Sequence, residues 1–135
     1  MVYITRKEHF SASHILHNPA CSDEENKEIF GKCNELHGHN YYLEITIKGI
    51  PVKKTGYVMD LKKLKEIIYS EILSKVDHKN LNDVIFFRDI IPTTENMAVV
   101  FWNALSPLLK EDNYSLYSVK IYETEKNSVI YKGEE

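Results

Sequence analysis

The run from His37 to Lys48 constrains this fold more than any other stretch. Tyr41, Leu43, Ile45 and Ile47 alternate with Asn40, Tyr42, Glu44, Thr46 and Lys48. A period of two puts the first set on one face of a strand and the second on the other. A strand of this kind needs a core on one side and tolerates water on the other, which is how an antiparallel sheet with one covered face is built. His37 and His39 fall in phase with the apolar set, so both imidazoles aim toward the covered side. Cys33 lies four positions upstream, and Gly31 to Tyr41 is therefore where chemistry is expected.

The rest of the chain supplies partners for that strand. Residues 2 to 14 read as another strand, with Phe10, Ala12 and His14 in one phase. Residues 17 to 30 carry turn formers and then Ser22 or Asp23 ahead of acidic residues, which predicts a long loop with one helical turn. Beyond a turn around Gly49 to Gly56, Asp60 is an N-cap for a helix in which Leu61, Leu64, Ile68 and Ile72 recur at helical spacing up to about Val76. Asp77 to Asp83 breaks that pattern and predicts a loop. Pro92, Thr93 and Thr94, with Glu95 in the first turn, open a second helix whose apolar side is Met97, Phe101, Leu105 and Leu108, ending near Lys110. Two strands close the chain, Ser115 to Thr124 and Ser128 to Lys132, joined by a hairpin turn at 125–127. Tyr117, Val119 and Ile121 share a phase, and Glu123 is next in it.

Strand, strand, helix, helix, strand, strand predicts an α+β fold, a four-stranded antiparallel sheet with both helices on one face. At 135 residues, one domain over 1–135 buries enough apolar surface to need no disulfide or structural metal. A metal site would then be there for function. No apolar run approaches the roughly 20 residues of a membrane span. A net charge of −3 disfavours a general nucleic-acid binder. The N-terminal residues lack a charged lead followed by an apolar stretch, so a cytoplasmic location is expected, with Cys21 and Cys33 as free thiols.

His14, His37 and His39 sit at strand ends on the inward phase, where three imidazoles could converge on one ion. Three neutral histidines plus an open position is the arrangement of catalytic zinc; the bland alternative is three ordinary histidines. His9 and His17 lack the phase relation and are assigned to the surface or to a supporting role. Cys33 is either a thiolate base or nucleophile activated by a nearby cation, or a small buried apolar residue. Cys21, in a polar loop, is assigned no role. Asp77 and His78 are either an acid/base pair or simply the end of a helix and the start of a loop. Glu123, a carboxylate on an apolar phase, must meet ligand donors or a buried partner. Facing adjacent N–H groups, it would suit a guanidine-like or pterin edge.

Seven ordered segments carry a resemblance: Phe10-Ser-Ala-Ser-His14, Ser22-Asp-Glu-Glu-Asn26, Phe30-Gly-Lys-Cys33, His37-Gly-His39-Asn-Tyr, Asp77-His-Lys-Asn-Leu81, Thr93-Thr-Glu-Asn96 and Tyr122-Glu-Thr124. From about Phe10 to Gly133 the chain resembles the family of 6-pyruvoyltetrahydropterin and 6-carboxytetrahydropterin synthases. The resemblance implies the tunnelling fold, with subunits closing into a barrel and stacking as two trimers, a homohexamer. It implies zinc on His14, His37 and His39, catalysis by Cys33, Asp77 and His78, and pterin anchoring by Glu123 with Thr94 and Glu95 contributing. The Asp77–His78 pair would reach the site of a neighbouring subunit. The implied reaction is elimination of triphosphate from 7,8-dihydroneopterin triphosphate, without a redox cofactor.

The product stays open at this point. Three residues, Asn34, Glu35 and Leu36, separate Cys33 from His37, a spacing similar to enzymes making 6-carboxytetrahydropterin for queuosine-type deazapurines. Ser22 to Asn26 and Thr93 to Asn96 look like the pyruvoyl-forming branch of tetrahydrobiopterin biosynthesis. A folate branch giving 6-hydroxymethyldihydropterin uses a glutamate near Glu35. Outside enzymes, the alternative is a protein that binds a pterin or purine around a structural zinc.

Overall fold

The computed structural model describes residues 1–134. Two long strands form its spine: β1 (Val2–His14) and β2 (His37–Gly49) pair antiparallel over their whole length, from Val2 opposite Gly49 to His14 opposite His37. This register sets Phe10 beside Tyr41, Ala12 beside His39 and His14 beside His37. All six belong to the inward phase, so the register that completes the core also gathers the histidines at one end. Further strands are β3 (Lys79–Asn80), β4 (Lys110–Glu111), β5 (Tyr114–Tyr122) and β6 (Ser128–Tyr131). The order is β3-β1-β2-β5-β4, with β6 also on β5; only β3 runs parallel to its neighbour.

Helices cover the inward face. α1 (Asp23–Phe30) lies in the first connection, α2 (Leu61–Ile68) runs through a π turn (Tyr69–Leu73) into α3 (Ser74–Val76), and α4 (Thr94–Leu105) follows. Leu64, Ile68, Ile72 and Val76 from one helical run, and Met97, Phe101 and Leu105 from the other, are fully buried with Leu43, Ile45, Ile47, Val119 and Ile121 of the sheet. These are the periods of 3.6 and 2 meeting in one core.

Several sequence expectations are corrected. The sheet has six strands rather than four, because β3 and β4 are two-residue pairings too short to leave a periodic signal. The connection at 17–30 holds two helical turns rather than one. Ser22 caps α1 with a capping box in which Glu25 reciprocates, while Asn26 is fully buried and binds the carbonyls of Asn18 and Ser22. Tyr117 does not share a face with Val119 and Ile121: a bulge opposite Thr46 and Ile47 makes it the extra residue, and its ring turns outward onto Tyr3. The second helix stops at Leu105, capped by Ser106, which leaves Leu108 exposed and buries Leu109 instead. Leu61, at the first position of α2, is also half-exposed.

Candidate functional site

The three histidines of the inward phase meet where β1 and β2 end. Their ligand-capable atoms lie within 4.8 Å of one another, and the rings are packed edge to face, His14 to His37 at 4.5 Å and His37 to His39 at 5.1 Å between centroids. Two backbone carbonyls fix the tautomers. His14 Nδ1 donates to Pro92 O at 2.8 Å, and His37 Nδ1 donates to Glu35 O at 2.7 Å. A carbonyl can only accept, so Nε2 of each ring keeps its lone pair, as a metal ligand requires. His39 Nε2 is buried without a hydrogen-bond partner among the described residues. Burial lowers the pKa of His14, against the Pro92 hydrogen bond, and His37 and His39 lower it further. Burial also lowers that of His39, with Glu123 opposing. Three imidazole nitrogen donors around one point fit a divalent ion, and a borderline-soft one best.

Glu123 sits one residue beyond β5 rather than within it, yet reaches the cluster. Its Oε1 is 3.5 Å from His39 Nε2, and its Oε2 accepts a short hydrogen bond from Thr94 Oγ1. Thr94 is in place because Thr93 caps α4, accepting from Asn96 N–H at 3.1 Å. Glu95 points into solvent and is not brought to the cluster.

Cys33 is half-buried in a short 3-10 turn, Gly31–Asn34, between α1 and β2, outside the imidazole cluster. Gly31 makes that turn with φ of 56° and ψ of −128°, a conformation open to glycine alone. Leu16 N–H donates to Cys33 O at 2.8 Å, and Asn34 Nδ2 donates to Leu16 O at 3.0 Å, so the thiol's turn is tied to the chain two residues beyond His14.

Asp77 and His78 are brought together at the edge of β1. His78 Nδ1 lies 3.0 Å from Asp77 Oδ1, which also accepts from Ser11 N–H at 3.0 Å, and His78 N–H donates to Ser11 O. Burial raises the Asp77 pKa, but the Ser11 N–H and His78 outweigh it and hold the carboxyl below its ordinary value. His78 adopts φ of 61°, strained for a residue with a Cβ, and its side chain is 82% exposed. It lines a cleft with Ser11, Ser13 and Asn40 that His39 also borders.

Sequence reasoning missed the Pro92 carbonyl, which comes from 78 residues downstream, and the buried hydroxyl of Tyr41. Tyr41 stacks on Phe10 at 4.8 Å and lies 5.4 Å from His39, with no partner for its hydroxyl among the described residues. Burial and Glu123 push its pKa up. Its place two residues after His39 in the same phase was the available signal.

An antiparallel sheet carrying three inward imidazoles, with a carboxylate at its rim and helices on one face, defines an α+β protein built around a metal-capable site. Comparison with known proteins narrows this. A sequence model described as 6-pyruvoyl tetrahydropterin synthase matches residues 3–134, and the chain belongs to that family. It is 49% identical to the 6-pyruvoyl tetrahydrobiopterin synthase of Dictyostelium discoideum, covering 98% of this chain and 97% of that one. The Homo sapiens protein of the same name is 47% identical over 97% of this chain and 91% of its own. The solved Caenorhabditis elegans 6-pyruvoyl tetrahydropterin synthase superposes with a TM-score of 0.91 at 43% identity, covering 98% and 96%. The chain is thus an enzyme of the lyase class. Among the described residues, no helix is long and apolar enough to cross a membrane.

Proposed function

We propose that residues 1–135 act as one pterin synthase domain, a zinc-dependent lyase that eliminates triphosphate from 7,8-dihydroneopterin triphosphate to give 6-pyruvoyltetrahydropterin. The observation that carries this reading is the convergence of His14, His37 and His39 beside the Thr94-held carboxylate of Glu123. Zinc, when bound, supplies Lewis acidity that makes a neighbouring substrate C–H more acidic. Glu123 accepts paired N–H donors of the pterin ring, and the Thr94 hydroxyl keeps it turned toward them. Cys33, as thiolate, takes the side-chain proton. His78, whose Nδ1 is held by Asp77, offers Nε2 for the second transfer. The C–O bond to triphosphate breaks and its electron pair leaves with the anion; no external oxidant or reductant enters.

The His78 side chain, 82% exposed beside the β1 edge, supports a site completed by a neighbouring copy. Sheet edges support assembly too. β3 covers β1 only at Ala12 and Ser13, leaving most of that edge without a strand partner among the described residues. The outward face carries Lys7 over the rings of Tyr42 and Tyr122 and a Thr5–Thr46 hydroxyl pair, polar enough to line a water-filled barrel. The proposed assembly is a homohexamer, a dimer of trimers.

The three-residue gap from Cys33 to His37 favours a second reading, the 6-carboxytetrahydropterin product. Incubating the zinc-loaded enzyme with dihydroneopterin triphosphate and identifying the product by mass separates the two. The expected product is 6-pyruvoyltetrahydropterin; a 6-carboxy product establishes the second reading, and a 6-hydroxymethyl product or no turnover overturns both.

A further inference from the structure

The outward face of the sheet is lopsided in charge. Strand register places Lys7, Lys48, Lys110 and Lys120 on it, and Lys132, just past β6, turns its ammonium onto the outward ring of Tyr117. The chain has 17 lysines and arginines against 20 carboxylates, yet among the strand residues on this face Glu44 is the only carboxylate. A surface that serves solubility alone intersperses both signs; here one sign is gathered.

The lysines are held without being neutralised. Lys7 stands over Tyr42 at 4.8 Å and Tyr122 at 5.7 Å from the ring centroids, Lys120 over Tyr122 at 4.9 Å, and Lys48 and Lys132 over Tyr117 at 5.9 and 5.3 Å. Glu44 lies opposite both Lys7 and Lys120 in the ladder, but neither ammonium pairs with it. None of the five lysines joins an ion pair among the described residues. A ring quadrupole fixes an ammonium in place and leaves its full charge. Between the two clusters lie hydroxyls, Thr5 and Thr46, bonded to each other at 2.8 Å, and Ser118 opposite Thr46.

We infer that this face binds linear inorganic polyphosphate, a ligand class apart from the pterin substrate. Lysine ammoniums are point charges suited to phosphate oxygens. The rows of Glu44 and Lys48 lie about 13 Å apart along the strand, so the two clusters are spaced for an anion whose charge repeats along a chain. A single-stranded nucleic acid would need free aromatic rings for its bases, and the rings of Tyr42, Tyr117 and Tyr122 already lie under ammoniums. The inference stands on the sheet face alone and is independent of the proposed reaction.

Titration calorimetry of the zinc-loaded enzyme with orthophosphate, triphosphate and a longer linear polyphosphate tests it. Affinity should rise with chain length, since a chain that reaches both clusters makes its second contact intramolecularly. Lys48→Ala/Lys132→Ala should weaken long-chain binding about tenfold, the worth of two exposed charge contacts, while Lys48→Arg/Lys132→Arg should keep most of it. Glu44→Gln, which deletes the one opposing charge, should tighten binding, and Lys53→Ala, in the remote turn, should leave it unchanged. Equal affinity in wild type and Lys48→Ala/Lys132→Ala overturns the inference, as does affinity independent of chain length. Tighter binding of a single-stranded RNA than of polyphosphate overturns it too. Turnover of dihydroneopterin triphosphate should persist in Lys48→Ala/Lys132→Ala; its absence in wild type removes the proposed reaction and leaves a lysine-dependent polyphosphate site standing.

Discussion

The His14–Pro92 hydrogen bond shows how single contacts set the chemistry. It fixes the tautomer of a buried ring, and burial lowers that ring's pKa against the pull of the carbonyl. His39 is lowered as well. A lowered histidine is disfavoured as the cation in the fold, so the unfolded chain takes up protons first as pH falls through the ordinary histidine value of 6.5. Metal-free protein should then be most stable above that pH and lose stability below it, down to the folded-state values. Urea midpoints at pH 7.5 and 5.5 check this, and His14→Ala should flatten the difference. At Cys33, replacement by Ala should abolish turnover while zinc content and assembly persist; unchanged turnover would sink the thiolate mechanism. Tyr41→Phe removes a buried hydroxyl that has no partner. It should leave stability unchanged or raise it by about 1 kcal/mol in chemical denaturation, since an unmet buried donor costs about 1–3 kcal/mol. The histidines were legible in the sequence because a period of two is a geometric rule. Pro92 was not, because a carbonyl has no sequence identity and its reach depends on tertiary approach.

Elements position what residues do. Beyond β3, the Asn82 side chain continues the parallel pairing to β1: Ile15 N–H donates to Asn82 Oδ1 at 2.8 Å, and Asn82 Nδ2 donates to Ile15 O at 2.9 Å. A carboxamide thus replaces a strand residue beside His14. Asn82→Ala should lower zinc affinity about tenfold, within the range for residues that orient a metal ligand, measured by competition with a chromophoric chelator. Unchanged affinity would show that the Pro92 carbonyl alone suffices. Long elements were read correctly because Leu64, Ile68 and Ile72, or Leu43, Ile45 and Ile47, repeat often enough to outweigh noise. The short ones were not: β3 exists only because β1 lies beside it, and α1 rests on a capping box and on buried Asn26 rather than an apolar stripe. The bulge that turned Tyr117 outward is likewise a register event between strands, invisible in either strand alone.

At the scale of the whole molecule, the proposed reaction draws on two groups of residues held by different elements. His14, His37, His39 and Glu123 gather at the inward phase, while the Asp77–His78 pair sits at the β1 edge, in a cleft that His39 also borders. In the proposed elimination the base, Cys33, lies in the turn before β2, and the acid, His78, lies at the β1 edge beside β3. In a closed symmetric assembly the two groups at one site can come from different copies. Subunit mixing measures this directly. Cys33→Ala and His78→Ala chains, each expected to be inactive alone, should recover about a quarter of wild-type activity when co-refolded in equal amounts, since each composite site draws its two groups independently in a closed symmetric assembly. If both groups came from one chain, every site in the mixture would lack one of them and no activity would return. Sedimentation of the mixture shows whether recovery tracks the assembled fraction, and an active monomer would remove the shared site altogether.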